Sequence, residues 1–367
     1  MTALTSAAPQ AGRWRRARPR RAAALAWAVG RSHRTTLIWL GLWLLASAAG
    51  MLVAGIQLHR LYAAEIQHGC LGRSAWSGVC RPLQSTFGLG WPQGYANLIM
   101  LYLQAVPVII GVFAGAPLLA REYTAGTVRF AWTQGIGRTR WAVATLGLLA
   151  SAVAVVACLL GLLLQWSLLP VAAQTSRFAD RWEPGVFNAT PLTAATGAVL
   201  AFAIGVLVGA LIRRVVAAMA VTAVATIIVA NLMYNRLHYW LVGQGLRQAR
   251  DLAFGANGNV GIPSVGPIDI HETVGRSVPG PVGGWLDQGW YTGPDGHRLS
   301  NGAVTALLNK HAGAGSAWLT RLHDSFWVSY QPASRYWIFQ FILAGGALLA
   351  ALLLAVATIA LIRHRRA

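Results

Sequence analysis

Long apolar runs alternate along this chain with short arginine-rich stretches and three longer polar ones. A membrane-spanning helix needs about 20 predominantly apolar residues. Six segments meet that length: Thr36–Ile56, Leu98–Leu119, Ala142–Leu169, Ala194–Ile212, Val215–Tyr234 and Trp337–Ile362. The fourth and fifth are parted only by Arg213-Arg214, so they are expected to form a tight helical hairpin with both arginines at its tip. The pattern predicts an all-α polytopic membrane protein with six transmembrane helices. Its expected divisions are a basic tail with an interfacial helix (1–35), helices one to five (36–234), an extracytoplasmic loop or domain (235–336), and helix six with a basic tail (337–367).

Composition supports this class. Of 367 residues, 56% are hydrophobic and 11% charged, with a mean hydropathy of +0.51. A soluble domain carries about 25% charged residues. The net charge of +20 raises the question of nucleic acid, but its distribution answers it. With the N-terminus inside, the inner segments hold seventeen basic residues against one acid. The outer segments hold thirteen against nine. Short, basic inner loops are what the positive-inside rule requires, so both termini are expected in the cytoplasm. Topology accounts for the excess charge and no nucleic-acid partner is expected; the partner surface is the lipid bilayer. The basic residues are arginines except Lys310. That bias, with abundant Ala and Gly, suggests a GC-rich bacterial genome, and hence the bacterial inner or plasma membrane. No separate signal peptide is expected.

Residues 20–34 can form a short amphipathic helix in the headgroup layer, or serve as a positive-inside anchor. Pro107 and Pro117 should kink the second span. Gln104 in that span and Gln165 in the third are candidates to face the bundle interior. Gly205 and Gly209 form a G-x-x-x-G that permits close helix packing, although Gly is frequent here. No Asp, Glu, Lys or Arg lies deep in a span. Ion-coupled carriers usually keep ionisable groups there.

In the first outer loop Cys70 and Cys80 are either a disulfide or two free thiols. Cys158 falls inside the third span. The 235–336 segment should begin helically, Asn235 to Leu252. It continues Gly/Pro-rich with a turn at Pro294-Asp295-Gly296, and has helical stretches near Ala303–His311 and Ala317–His323.

The stretch 121–141, between spans two and three, is polar and aromatic. It carries Glu122 and four arginines, and its glycines allow tight turns around Val128–Gln134. It is either a plain cytoplasmic loop or a docking surface. Two tryptophans and the E-x-x-x-G-T spacing favour docking. No catalytic pattern accompanies it. There is no G-x-x-x-x-G-K-[ST], no H-E-x-x-H, no G-x-S-x-G and no paired intramembrane aspartates. His271, His297, His311 and His323 show no metal-ligand spacing. Asn188-Ala189-Thr190 fits a glycosylation sequon only in a eukaryotic secretory setting.

Glu122, Gly126-Thr127, Trp132-Thr133-Gln134-Gly135 and Arg138, Arg140, Trp141 resemble the loop of a membrane subunit of an ABC-2-type ABC transporter, in one bacterial branch. Tyr330-Gln331-Pro332, Arg335 and Trp337 resemble that branch too. The resemblance implies that the loop carries a coupling helix seated in a separate cytoplasmic ATPase, with the N-terminal helix clasping the same subunit. Glu122, Gly126 and Thr127 would shape this element; Trp132, Gln134 and Arg138 would contact the ATPase or brace the loop. It also implies a homo- or heterodimer of permease subunits, with ATP and Mg in the ATPase and no cofactor or catalysis in this chain. One departure is the long 235–336 segment, where many members carry only a short re-entrant element. The expected function is an exporter permease for a hydrophobic or amphipathic compound. The alternative is a membrane sensor or scaffold that docks a cytoplasmic regulator. A membrane-embedded enzyme is disfavoured by the lack of a nucleophile–base or metal constellation.

Overall fold

The computed structural model describes residues 34–68, 91–125, 138–174, 182, 184–244, 247–250, 285–293, 295–300, single positions between 302 and 310, and 326–364. Six helices among them are long and apolar enough to cross a membrane: Gly41–Gln67, Gly94–Arg121, Ala142–Pro170, Pro191–Ile212, Val215–Leu232 and Tyr336–His364. They match the six expected spans in number and order. The first and third run further than their apolar cores, as helices Arg34–Gln67 and Arg138–Gln174.

Span four is the central element. Half of its apolar window is buried, against 17% for spans one and five. It packs on spans two, three, five and six. Its sequence explains this position. Ala198, Ala201, Ala203, Gly205, Gly209 and Ala210 are all buried, and such small side chains let neighbouring backbones approach closely. In lipid there is little hydrophobic force between helices, so this packing is what holds the bundle together. Exposed side chains on spans one and five such as Leu45, Val53, Val224 and Ile228 are apolar and suit a lipid environment.

The hairpin between spans four and five forms as the sequence implies. Arg213 adopts φ 58°, the left-handed position that ends many helices, and donates its N–H to Gly209 O at 3.2 Å. Arg214 is extended, and the next helix starts at Val215.

Span two is interrupted between its prolines. Helix Trp91–Ile110 passes into a π turn, Gly111–Gly115, and then into helix Ala116–Ala125. Pro117 has no N–H to give to the preceding turn. The wide turn shifts the hydrogen-bond register just before it, with Ala116 N–H bonding Gly111 O. The prolines are thus met by a local π segment.

Beyond span five a second π turn, Met233–Leu237, leads to a short helix, His238–Val242. The helical continuation expected to Leu252 stops there. Gly243 and Gln244 close the turn onto Tyr239 O and Leu241 O, and Arg247–Arg250 is a strand (β1). β1 pairs antiparallel with β3 (Phe326–Gln331), which also pairs antiparallel with β2 (Trp285–Tyr291), giving the order β1-β3-β2. Of the expected turn at 294–296, Pro294 lies outside the described residues; Gly296 takes φ 77° and donates to Gly293 O, while Thr292 bridges Arg298. Gly302 and Ala303 are helical; the rest of Ala303–His311 is described only in part, and Ala317–His323 lies outside the described residues, as does the 20–34 helix.

Candidate functional site

Three features sit on spans two, four, five and six. The first is a glycine crossing. Gly111 and Gly115 of the π turn lie against span four so closely that a methyl on them would stand 2.7 Å from Ala201 O and 2.6 Å from Phe202 O. From the other side, a methyl on Gly205 or Gly209 would overlap Gly111 O or Ala116 O. The expected G-x-x-x-G is therefore a real packing surface, and its partner is the π turn.

The second is a pair of cavities on either side of Gln104. A chamber of about 90 Å³ lies between spans two to six, with Pro107, Leu160, Thr196, Thr226, Met233 and Leu343 on its walls. A wider cleft of about 590 Å³ opens between spans two and five, bordered by Asn231 and Tyr239. Gln104 and Ala230 line both. Among the described lining residues neither cavity has an Asp, Glu, Lys or Arg. The threonine hydroxyls are used within their own helices: Thr226 donates to Thr222 O at 2.7 Å and Thr196 to Leu192 O at 3.0 Å. Gly185 makes room for the Gln104 amide, whose Nε2 would be 3.4 Å from a methyl placed there. Among the described residues that amide has no protein hydrogen-bond partner. A polar group at membrane depth must be satisfied by something. The two cavities give water or a solute access to it. Gln165, the other expected interior amide, lines neither cavity and is half-buried.

The third is a buried cap above the chamber. Trp182, Phe187, Leu241, Val242, Tyr336, Phe339 and Leu343 form one cluster. Phe187 meets Tyr336 edge-on at 5.4 Å and His238 at 4.9 Å. Under it runs a polar chain: Thr190 Oγ1 donates to Gln340 Oε1 at 2.8 Å, Gln340 Nε2 donates to Phe187 O at 2.9 Å, and Thr193 Oγ1 donates to the same carbonyl at 2.9 Å. Asn188 Nδ2 bonds Pro184 O at 2.8 Å. Asn188 and Thr190 thus pack the cap. His238 is fully buried, and burial pushes its imidazole down to about 4, partly offset by a hydrogen bond with the backbone of Trp182. Sequence reasoning missed His238, Gln340 and Thr190 as a group. Only the lone polar letter of Gln340 in an apolar run gave a signal.

The second motif, Tyr330 to Trp337, joins this cap to the outer sheet. Gln331 ends β3 and is fully buried. Its Nε2 donates to Val242 O at 2.7 Å and Gln244 O at 2.6 Å, and Arg335 reaches its Oε1 at 3.4 Å. One side chain therefore ties β3 to the end of the short helix beyond span five.

Of the expected docking residues, Glu122 lies in the helix that ends at Ala125, and Arg138 opens the helix of span three. Gly126, Thr127, Trp132 and Gln134 lie outside the described residues, as do Cys70 and Cys80. Cys158 is a free, half-buried thiol. The loop's two ends stand at the end of the bundle that carries Arg213-Arg214, because Ala116 meets Gly209 and Ala120 clusters with Ala218. Among the described residues no three His, Cys, Asp or Glu converge as a metal site.

Six apolar spans define a polytopic membrane protein. The family described as ABC-2 membrane transporter related matches residues 41–237, more than half of the chain, and the chain belongs to it. It is therefore a membrane transport component. The family implies a non-catalytic subunit and, in general, a partner ATPase. No curated protein and no solved structure matches the chain.

Proposed function

We propose that this chain is the permease subunit of an ATP-driven exporter of neutral hydrophobic or amphipathic compounds. It lies in the bacterial inner or plasma membrane with both termini in the cytoplasm, where the basic segments place them. It works as a dimer of permease subunits with separate ATPase subunits that bind ATP and Mg. Glu122, Gly126, Thr127, Trp132, Gln134 and Arg138 form the ATPase-docking element. Support for that surface is its position at the basic end of the bundle and its aromatic and arginine side chains, the usual anchors of interfaces.

The observation that carries the cargo class is the Gln104 amide. Among the described residues it has no protein partner, and it lines two cavities whose described walls carry no Asp, Glu, Lys or Arg. A charged cargo would meet no counter-charge there, whereas a neutral molecule with one acceptor or donor would satisfy the amide and lose little on desolvation.

The test is transport of an uncharged amphipathic fluorophore, N-phenyl-1-naphthylamine, by vesicles holding the chain and its ATPase. Gln104→Leu should lower the rate at subsaturating dye about five-fold, as loss of one neutral hydrogen bond of roughly 1 kcal/mol gives. Gln104→Asn should keep part of it. An unchanged rate in Gln104→Leu would remove Gln104 from the path.

A further inference from the structure

Gln104 has a counterpart across the wider cleft. Span two supplies Gln104 and span five supplies Asn231, and both line the opening of about 590 Å³ between those spans. Each stands seventeen residues along its helix from an arginine at the basic end, Gln104 from Arg121 and Asn231 from Arg214. At 1.5 Å per residue that is roughly 25 Å, most of the way across a ~30 Å hydrocarbon core. The two carboxamides thus sit at one level, in the leaflet far from the arginines. Leu101, Ile227 and Asn231 line the cleft and are exposed, so it opens sideways on the surface of the chain.

Three other carboxamides are bonded into the protein. Asn188 holds Pro184 O at 2.8 Å, Gln340 holds Phe187 O at 2.9 Å and Gln331 holds Val242 O at 2.7 Å. Among the described residues Gln104 and Asn231 make no such bond, to each other or to a neighbour. Gln165 makes none either, but it lines neither cavity. Apart from Tyr239, the other described walls of the cleft, among them Met100, Val108 and Ile109, are apolar. An apolar recess with a few polar groups is the usual form of a small-molecule site.

We infer that this cleft selects its cargo by a carboxamide with a free N–H, held between Gln104 and Asn231. Each of these side chains offers a carbonyl acceptor and an N–H donor. A neutral group that carries one donor and one acceptor of its own satisfies both walls at once. A ketone or ester brings acceptors only, and an ion meets no counter-charge on the described walls. The sideways opening lets an apolar amide enter from the leaflet opposite the basic end. The inference rests on the reading of the Gln104 cavities as the cargo's path, and narrows that cargo to apolar amides.

The test is scintillation-proximity binding of tritiated decanamide and N,N-dimethyldecanamide to the full chain in nanodiscs, with empty nanodiscs subtracted. The wild type should bind decanamide about five-fold more tightly, the scale of one neutral hydrogen bond. Asn231→Leu and Gln104→Leu should each bind the two amides alike, and Asn231→Gln should keep part of the preference. Gln165→Leu should behave as the wild type. Equal affinities in the wild type, or a full preference in Asn231→Leu, would overturn the inference. So would a preference lost as completely in Gln165→Leu as in Asn231→Leu. The assay contains no ATPase, so failed dye transport counts against the exporter reading alone, and a failed amide preference counts against this inference alone.

Discussion

Gly205 and Gly209 set the distance between spans two and four, because any side chain at either position would run into backbone of the π turn or Ala116. Backbone yields less readily than a flexible side chain, and overpacking typically costs about 1–3 kcal/mol. Gly205→Leu should therefore lower the thermal midpoint of the purified chain markedly. Gly345→Ala, on span six, should leave it unchanged or slightly raised, since a methyl there meets nothing. Equal effects of the two would mean that the crossing does not hold the bundle. His238 gives a second prediction, in pH. Its folded value of about 4 lies below the usual 6.5, so the neutral ring is the folded form. Its stabilising contribution is complete above pH 6.5 and is lost as pH falls towards 4, because the unfolded chain takes up the proton first. The loss at low pH is about 3 kcal/mol at most. Thermal unfolding of the wild type should weaken between pH 7 and 4.5 more than that of His238→Phe. Parallel slopes would show that His238 does not titrate on unfolding.

At the scale of elements, the six spans were legible because apolar length alone specifies them in lipid. Their interruptions were not. Pro107 and Pro117 announce that span two is irregular, but the glycines at 111 and 115 and the groove of span four decide that the irregularity is a π turn. Similarly, the residues after Val242 can continue a helix by propensity, and it is pairing with β3 that makes Arg247–Arg250 a strand. Gln331 is the joint between these elements. Gln331→Ala should leave the Val242 and Gln244 carbonyls without their amide donor, each costing about 1–3 kcal/mol where buried. Amide exchange in Phe326–Gln331 should then quicken while exchange in Tyr336–His364 stays slow. Exchange that quickens equally in both would mean that the sheet and span six open as one unit.

For the whole molecule, the charge pattern and the spans were readable together, since each arginine-rich stretch falls at one end of an apolar run. The cavity beside Gln104 was readable only as a lone amide in span two. Its walls come from five spans and depend on how span four packs, which no local pattern records. The cap was hidden for the same reason: Phe187, His238 and Tyr336 are far apart in sequence and meet only through the bundle. The central claim is that the 121–141 loop couples this bundle to an ATPase. Its most direct test is a detergent pull-down of the tagged chain from its native membrane, with mass spectrometry of the proteins that come along, beside Glu122→Ala and Trp132→Ala. The account predicts a P-loop ATPase with the wild type and its depletion from both variants. Absence of any ATPase while the membrane dimer stays intact would contradict it, and would favour a sensor or scaffold that docks another cytoplasmic partner.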